Sequence, residues 1–155
     1  MSTTITYFVH GTTTDNEKNV SSGWADVELS ELGVKQSIEL KDKLGDKKFD
    51  VVFCSDCNYG DLNAAPSAIV EPLQEKMTTE RFPSGESYED VKTRIADFLE
   101  FLKKNYDGKS VAIVAHKAPQ ISLDVLLKGK TWKEALATDW RKTHAWQPGW
   151  EYIVK

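Results

Sequence analysis

The chain has 155 residues, enough for one domain with a real core and too few for two, so residues 1–155 are expected to form a single unit. Its 40% hydrophobic and 28% charged content is ordinary for a soluble globular protein, and a formal charge of −4 gives no electrostatic reason to expect nucleic acid or an anionic membrane as partner. No run approaches the ~20 apolar residues that span a bilayer. The N-terminus MSTTITYFVHG lacks the basic region and cleavage pattern of a secretory signal. Cys54 and Cys57 do not make a disulfide framework, so cytoplasm is the expected location.

In chain order, Ile5–Val9 is the first apolar run and reads as a buried strand. LSELGVKQSIELKDKLG (residues 29–45) reads as a helix with Ser30 as its N-cap and Gly45 past its end. FDVVFC (49–54) and SVAIVA (110–115) are further strands. All three strands are continuous rather than alternating, which suits parallel strands covered on both faces. Residues 57–86 carry several Gly and Pro residues around a short helix near 66–77, a lid-like connection over the site. SYEDVKTRIADFLEFLKKNYDG (87–108) is the clearest helix, with Ser87 and Asp90 as an imperfect capping box and Val91, Ile95, Phe98 and Leu102 as one apolar stripe. Weaker helical patterns cover 119–127 and 131–142, and GWEYIV (149–154) reads as an edge strand. This alternation predicts an α/β layered domain with a mostly parallel sheet.

Ligands of open α/β sheets bind beyond the carboxyl ends of the strands. Two strands here end on the same residue type, ITYFVH at His10 and VAIVAH at His116, using two of the chain's three histidines. If both strands are parallel and central, the two imidazoles converge. Gly11 permits a tight turn, while Thr12, Thr13 and Thr14 offer hydroxyls and amides to an anion and Asn16 adds an amide donor. Together they resemble a phosphate cradle.

The order strand-HG-x-T-x-x-N, GW…D-x-ELSELG-x-x-Q, FDVVFCSD, NYGDLN, FPSGESYEDVKTRI and VAIVAH resembles the histidine phosphatase (phosphoglycerate mutase-like) superfamily across nearly the whole chain. The resemblance implies a three-layer α/β/α sandwich with a mostly parallel central sheet. It implies that His10 is a nucleophile forming a phosphohistidine, that His116 binds the transferring phosphoryl group, and that an acidic residue near the Y-G-x-x-N segment serves as acid and base. The substrate would be a small phosphorylated molecule, with inorganic phosphate as product, and no metal or other cofactor is required.

The sequence departs from the family pattern in two places. Val9 stands where the family has the arginine of Arg-His-Gly. FCSD runs directly into CNYGDLN, as though one helix-strand unit, carrying a second arginine, had been cut out. Both bidentate phosphate grips are therefore missing, and activity is expected to be weakened. The alternative is a pseudophosphatase that keeps the fold and binds an anion or a protein. Lys117, Arg81 and Lys76 are the cations available to substitute. Asp56 stands where the family glutamate is expected, with Asp61 close by, although Asp56 reads equally as a strand-end turn residue. A strand edge exposed by the deletion favours a homodimer.

Cys54-Ser-Asp-Cys57 can be read as half a zinc site completed by His10 and His116, but Cys54 as a buried strand residue is the preferred reading. The C-terminal tryptophans read as cover for the sheet, and His144 among them is given no role.

Overall fold

The computed structural model describes residues 1–22, 25–55, 65–143 and 149–155. In chain order its elements are β1 (Thr3–Val9), α1 (Thr14–Glu17), β2 (Val20–Ser21), α2 (Glu31–Leu44), β3 (Val51–Cys54), β4 (Ala65–Pro66), α3 (Ser67–Val70), α4 (Tyr88–Asn105), β5 (Ser110–Ala115), α5 (Lys117–Lys128), α6 (Trp132–Ala137) and β6 (Trp150–Val154). The main sheet has the order β3-β5-β1-β6. β1 and β3 both run parallel to β5, and β6 runs antiparallel to β1. A second, two-stranded sheet pairs β2 with β4.

The period of two assigns the faces. Ile5, Tyr7 and Val9 pair in register with Val111, Ile113 and Ala115, and all six are buried. They form one core with Val91, Ile95, Leu99 and Leu102 of α4, Ile121 and Leu123 of α5, and Leu136 of α6. β1-α2-β3 and β3-α4-β5 cross the sheet in opposite directions, so the right-handed rule for parallel crossovers assigns α2 to the face opposite α4. The result is the expected α/β/α layering around a mostly parallel sheet. β3 and β4 are separated only by residues 55–64, a shorter span than the dozen or more residues of a strand-to-strand crossover.

One expectation about the strands is overturned. Among the described residues β3 is an edge strand, with Val52 61% exposed and Cys54 exposed rather than buried. Its neighbour Val114 is also 37% exposed. A continuous apolar run reports low polarity, not which strands a helix covers.

The helices follow their end signals. Ser30 accepts from the Gly33 N–H at the start of α2, and the Ser87–Asp90 capping box of α4 is complete in both directions. The stripe of α4 is buried at Leu99 rather than at Phe98, which packs partly buried against the core. α5 begins earlier than its pattern suggested, at Lys117, because Pro119 is tolerated in a first turn. The expected helix over 131–142 breaks after Ala137 and resumes as a 3-10 turn, Trp140–Thr143. The short helix near 66–77 likewise divides into α3 and two 3-10 turns, the first containing Pro72. Among the described residues no helix is long and apolar enough to cross a membrane.

Candidate active site

Adjacent parallel strands place the two histidines. Val9 pairs with Ala115, so His10 and His116 leave the sheet side by side. Their rings meet edge-on, with centroids 4.8 Å apart and planes at 61°. His10 donates its backbone N–H to the Ala115 carbonyl at 3.3 Å. The Tyr7 hydroxyl, fully buried beneath, donates to the His116 carbonyl at 2.6 Å. His116 is the N-cap of α5, so the helix opens at the same point.

The His10 ring is oriented by the residue that follows it. Its Nδ1 lies 2.8 Å from the Gly11 carbonyl oxygen. A carbonyl only accepts, so Nδ1 carries the proton, and in the neutral ring Nε2 carries the lone pair. Gly11 is required for close approach. A methyl there would sit 2.6 Å from the Gly33 carbonyl oxygen, and one at Gly33 would sit 2.0 Å from that of Thr12.

The threonine loop is not an open anion nest. Thr12 gives both its N–H and its hydroxyl to Gln36 Oε1, at 2.8 and 2.9 Å. Thr13 donates its N–H to Asn16 Oδ1 and accepts from the Asn16 N–H, closing the capping box of α1. Thr14 donates its N–H to the Glu28 carbonyl. These donors stiffen the loop. Thr13 and Asn16 nevertheless line the cavity that contains both histidines, which has a volume of about 690 Å³.

The described part of the lid-like segment walls this cavity with Val70, Glu71, Gln74, Phe82 and Glu86. Lys117 also lines it, but is only 7% exposed and already engaged: its ammonium is ion-paired with buried Asp139 and donates to Gln74 Oε1 at 2.9 Å. The other two cations named from the sequence lie elsewhere. Arg81 forks onto Asp90 at the surface, and the Ser87 N–H, followed by that fork, holds the carboxyl at about 2. Lys76 pairs with Glu80 in an exposed i,i+4 contact. Val9 is buried in the apolar core, so position 9 gives the cavity no charge.

Asp56, Asp61, Cys57 and His144 lie outside the described residues. Among the described residues, the carboxylates lining the cavity are Asp26, Glu71 and Glu86, and Glu86 is held by Arg94. No group of three His, Cys, Asp or Glu residues that could hold a metal ion occurs among the described residues. Gln36, Gln74 and Asp139 were not singled out by sequence. Gln36 stands in the quoted motif ELSELG-x-x-Q but carries no signal of its partner, and nothing local marks Asp139.

The sequence profile of the histidine phosphatase superfamily, branch 1, matches residues 7–58 and 62–147, which span both histidines and most of the chain. The chain belongs to the histidine phosphatase superfamily. A comparison with curated protein sequences gives no significant match. Solved structures of similar fold include the α-ribazole phosphatase of Shigella flexneri, with a TM-score of 0.71 at 19% identity, covering 88% of this chain and 84% of that one. The phosphoserine phosphatase of Entamoeba histolytica, in complex with 3-phosphoglyceric acid, gives 0.73 at 16% identity over 88% and 85%. A mycobacterial glucosyl-3-phosphoglycerate phosphatase complexed with VO3 gives 0.69 at 20% identity over 88% and 84%. At these identities the likeness is one of fold.

Proposed function

We propose that this superfamily member is a metal-independent phosphomonoester hydrolase acting through a phosphohistidine on His10. The observation that carries the reading is the pair of imidazoles at the carboxyl ends of β1 and β5, with the His10 ring held at Nδ1 by the Gly11 carbonyl.

His10 Nε2 directs its lone pair at phosphorus, and the N–P bond forms as the ester P–O bond breaks. The leaving oxygen takes a proton from a carboxylic acid, assigned to Asp56 or Asp61. That carboxylate then accepts a proton from water, whose oxygen attacks phosphorus, breaks the N–P bond and releases inorganic phosphate. The Nδ1–H···O bond to Gly11 favours the charge that the ring acquires in the intermediate. Phosphoryl oxygens are held by His116, the first turn of α5, Lys117, the Thr13 hydroxyl and the Asn16 amide. Gly11 contributes through the close packing that shapes the loop. The cavity suits a small phosphorylated substrate.

Activity is weakened because two arginine forks are absent and Lys117 already shares its charge with Asp139. That shared charge also favours a second reading, a pseudophosphatase that binds an anion without turning it over. Incubation with a generic phosphomonoester in EDTA separates the two. Turnover lost in His10→Ala supports the hydrolase; no turnover, or turnover unchanged in His10→Ala, overturns it.

A further inference from the structure

We propose that Gln36 is a positioning residue for His10, acting through the Gly11–Thr12 peptide; this rests on His10 being the nucleophile. The Gly11 carbonyl and the Thr12 N–H belong to one planar unit. The carbonyl accepts from His10 Nδ1 at 2.8 Å, while the N–H on its other side donates to Gln36 Oε1 at 2.8 Å. The peptide plane is thus held at both ends, and its tilt sets where the acceptor for the imidazole points. The amide orientation of Gln36 is fixed chemically, because the Thr12 N–H can only donate and so must face the oxygen. The Thr12 hydroxyl adds a second donor to the same oxygen at 2.9 Å.

The reach of Gln36 is set by the helix under it. Gly33, one turn earlier in α2, is the only buried residue of that helix and lies against the backbone of Gly11 and Thr12. Ser30, its N-cap, donates its N–H and hydroxyl to the Thr12 carbonyl at 2.9 and 3.2 Å. Ser30, Gly33 and Gln36, spaced by three along the start of α2 and its cap, therefore all address the two peptide units that flank Thr12, beside His10. Without the Gln36 acceptor, the Gly11–Thr12 peptide is released to tilt and the Nδ1–H tautomer loses its aligned partner. The Nε2–H tautomer then gains population, and that form has no lone pair on the attacking nitrogen.

The test is the tautomer of the His10 ring, read by long-range ¹H–¹⁵N NMR near neutral pH without substrate. Wild type is expected to show the Nδ1–H form. Gln36→Met, which keeps length and removes the acceptor, is expected to show a raised Nε2–H fraction, with kcat down roughly 10- to 100-fold and KM unchanged. Gln36→Glu retains the accepting oxygen and is expected to restore both. A folded Gln36→Met with the wild-type tautomer ratio overturns the proposal. Should Gln36→Met lose its fold, loss of the Nδ1–H form in folded Gln36→Glu overturns it and retention supports it. A tautomer shift in a protein that never turns over substrate supports the positioning role while removing the hydrolase reading; turnover with an unmoved tautomer does the reverse.

Discussion

Lys117 reaches the cavity as one half of a buried ion pair with Asp139, the two side chains 9% and 2% exposed. Removing one partner of such a pair leaves an uncompensated buried charge, at about 3–5 kcal/mol. Asp139→Leu is therefore expected to lower stability in chemical denaturation by that order, and Lys117→Met/Asp139→Leu to recover most of it. The same pair limits what Lys117 can give to phosphate. Asp139→Asn is expected to increase the thermal shift produced by inorganic phosphate, and Lys117→Met to diminish it. Equal shifts in all three proteins would remove Lys117 from the anion site.

Asp90 gives a pH dependence with a definite sign. The Ser87 N–H and hydroxyl and the Arg81 fork hold its carboxyl at about 2, below the ordinary value of 3.8. A depressed carboxyl contributes stability that is present above the unfolded value and lost as pH falls through the folded one. The advantage of wild type over Asp90→Ala should be full above about pH 4 and disappear towards about pH 2. Paired thermal melts between these limits check it. An advantage that is constant across that window would show that the cap does not titrate.

We also propose a homodimer formed through the edge of β3. Among the described residues that strand pairs only with β5, and it contains no lysine, proline or bulge, the usual protections of an edge. Light scattering should show mass rising with concentration, and Val52→Lys should hold the chain monomeric without lowering its melting temperature. A wild type that stays monomeric at every concentration would refute the pairing.

Much of the layering was legible because it depends on local signals. β1, β5 and α4 are written as an apolar run, a strand ending on histidine, and a cap followed by a helical stripe. The meeting of His10 and His116 followed from two strand ends alone. What escaped depends on partners far along the chain. Thr12 looks like a phosphate donor until Gln36 accepts from both its N–H and its hydroxyl, and Lys117 looks like a free cation until Asp139 is placed beside it. Cys54 looks buried until β3 is placed at the end of the strand order, where its side chain is exposed. Hydrophobicity and propensity are properties of a segment. Pairings across tens of residues are properties of the fold.

The central claim is that His10 carries the phosphoryl group between two half-reactions. Rapid quench into alkali after mixing with a ³²P-labelled phosphomonoester in EDTA tests it most directly, because a phosphohistidine survives base and is lost in acid. The expected result is alkali-stable, acid-labile label on the peptide containing His10, absent in His10→Gln. Turnover without any trapped label, or label that persists in His10→Gln, would contradict it.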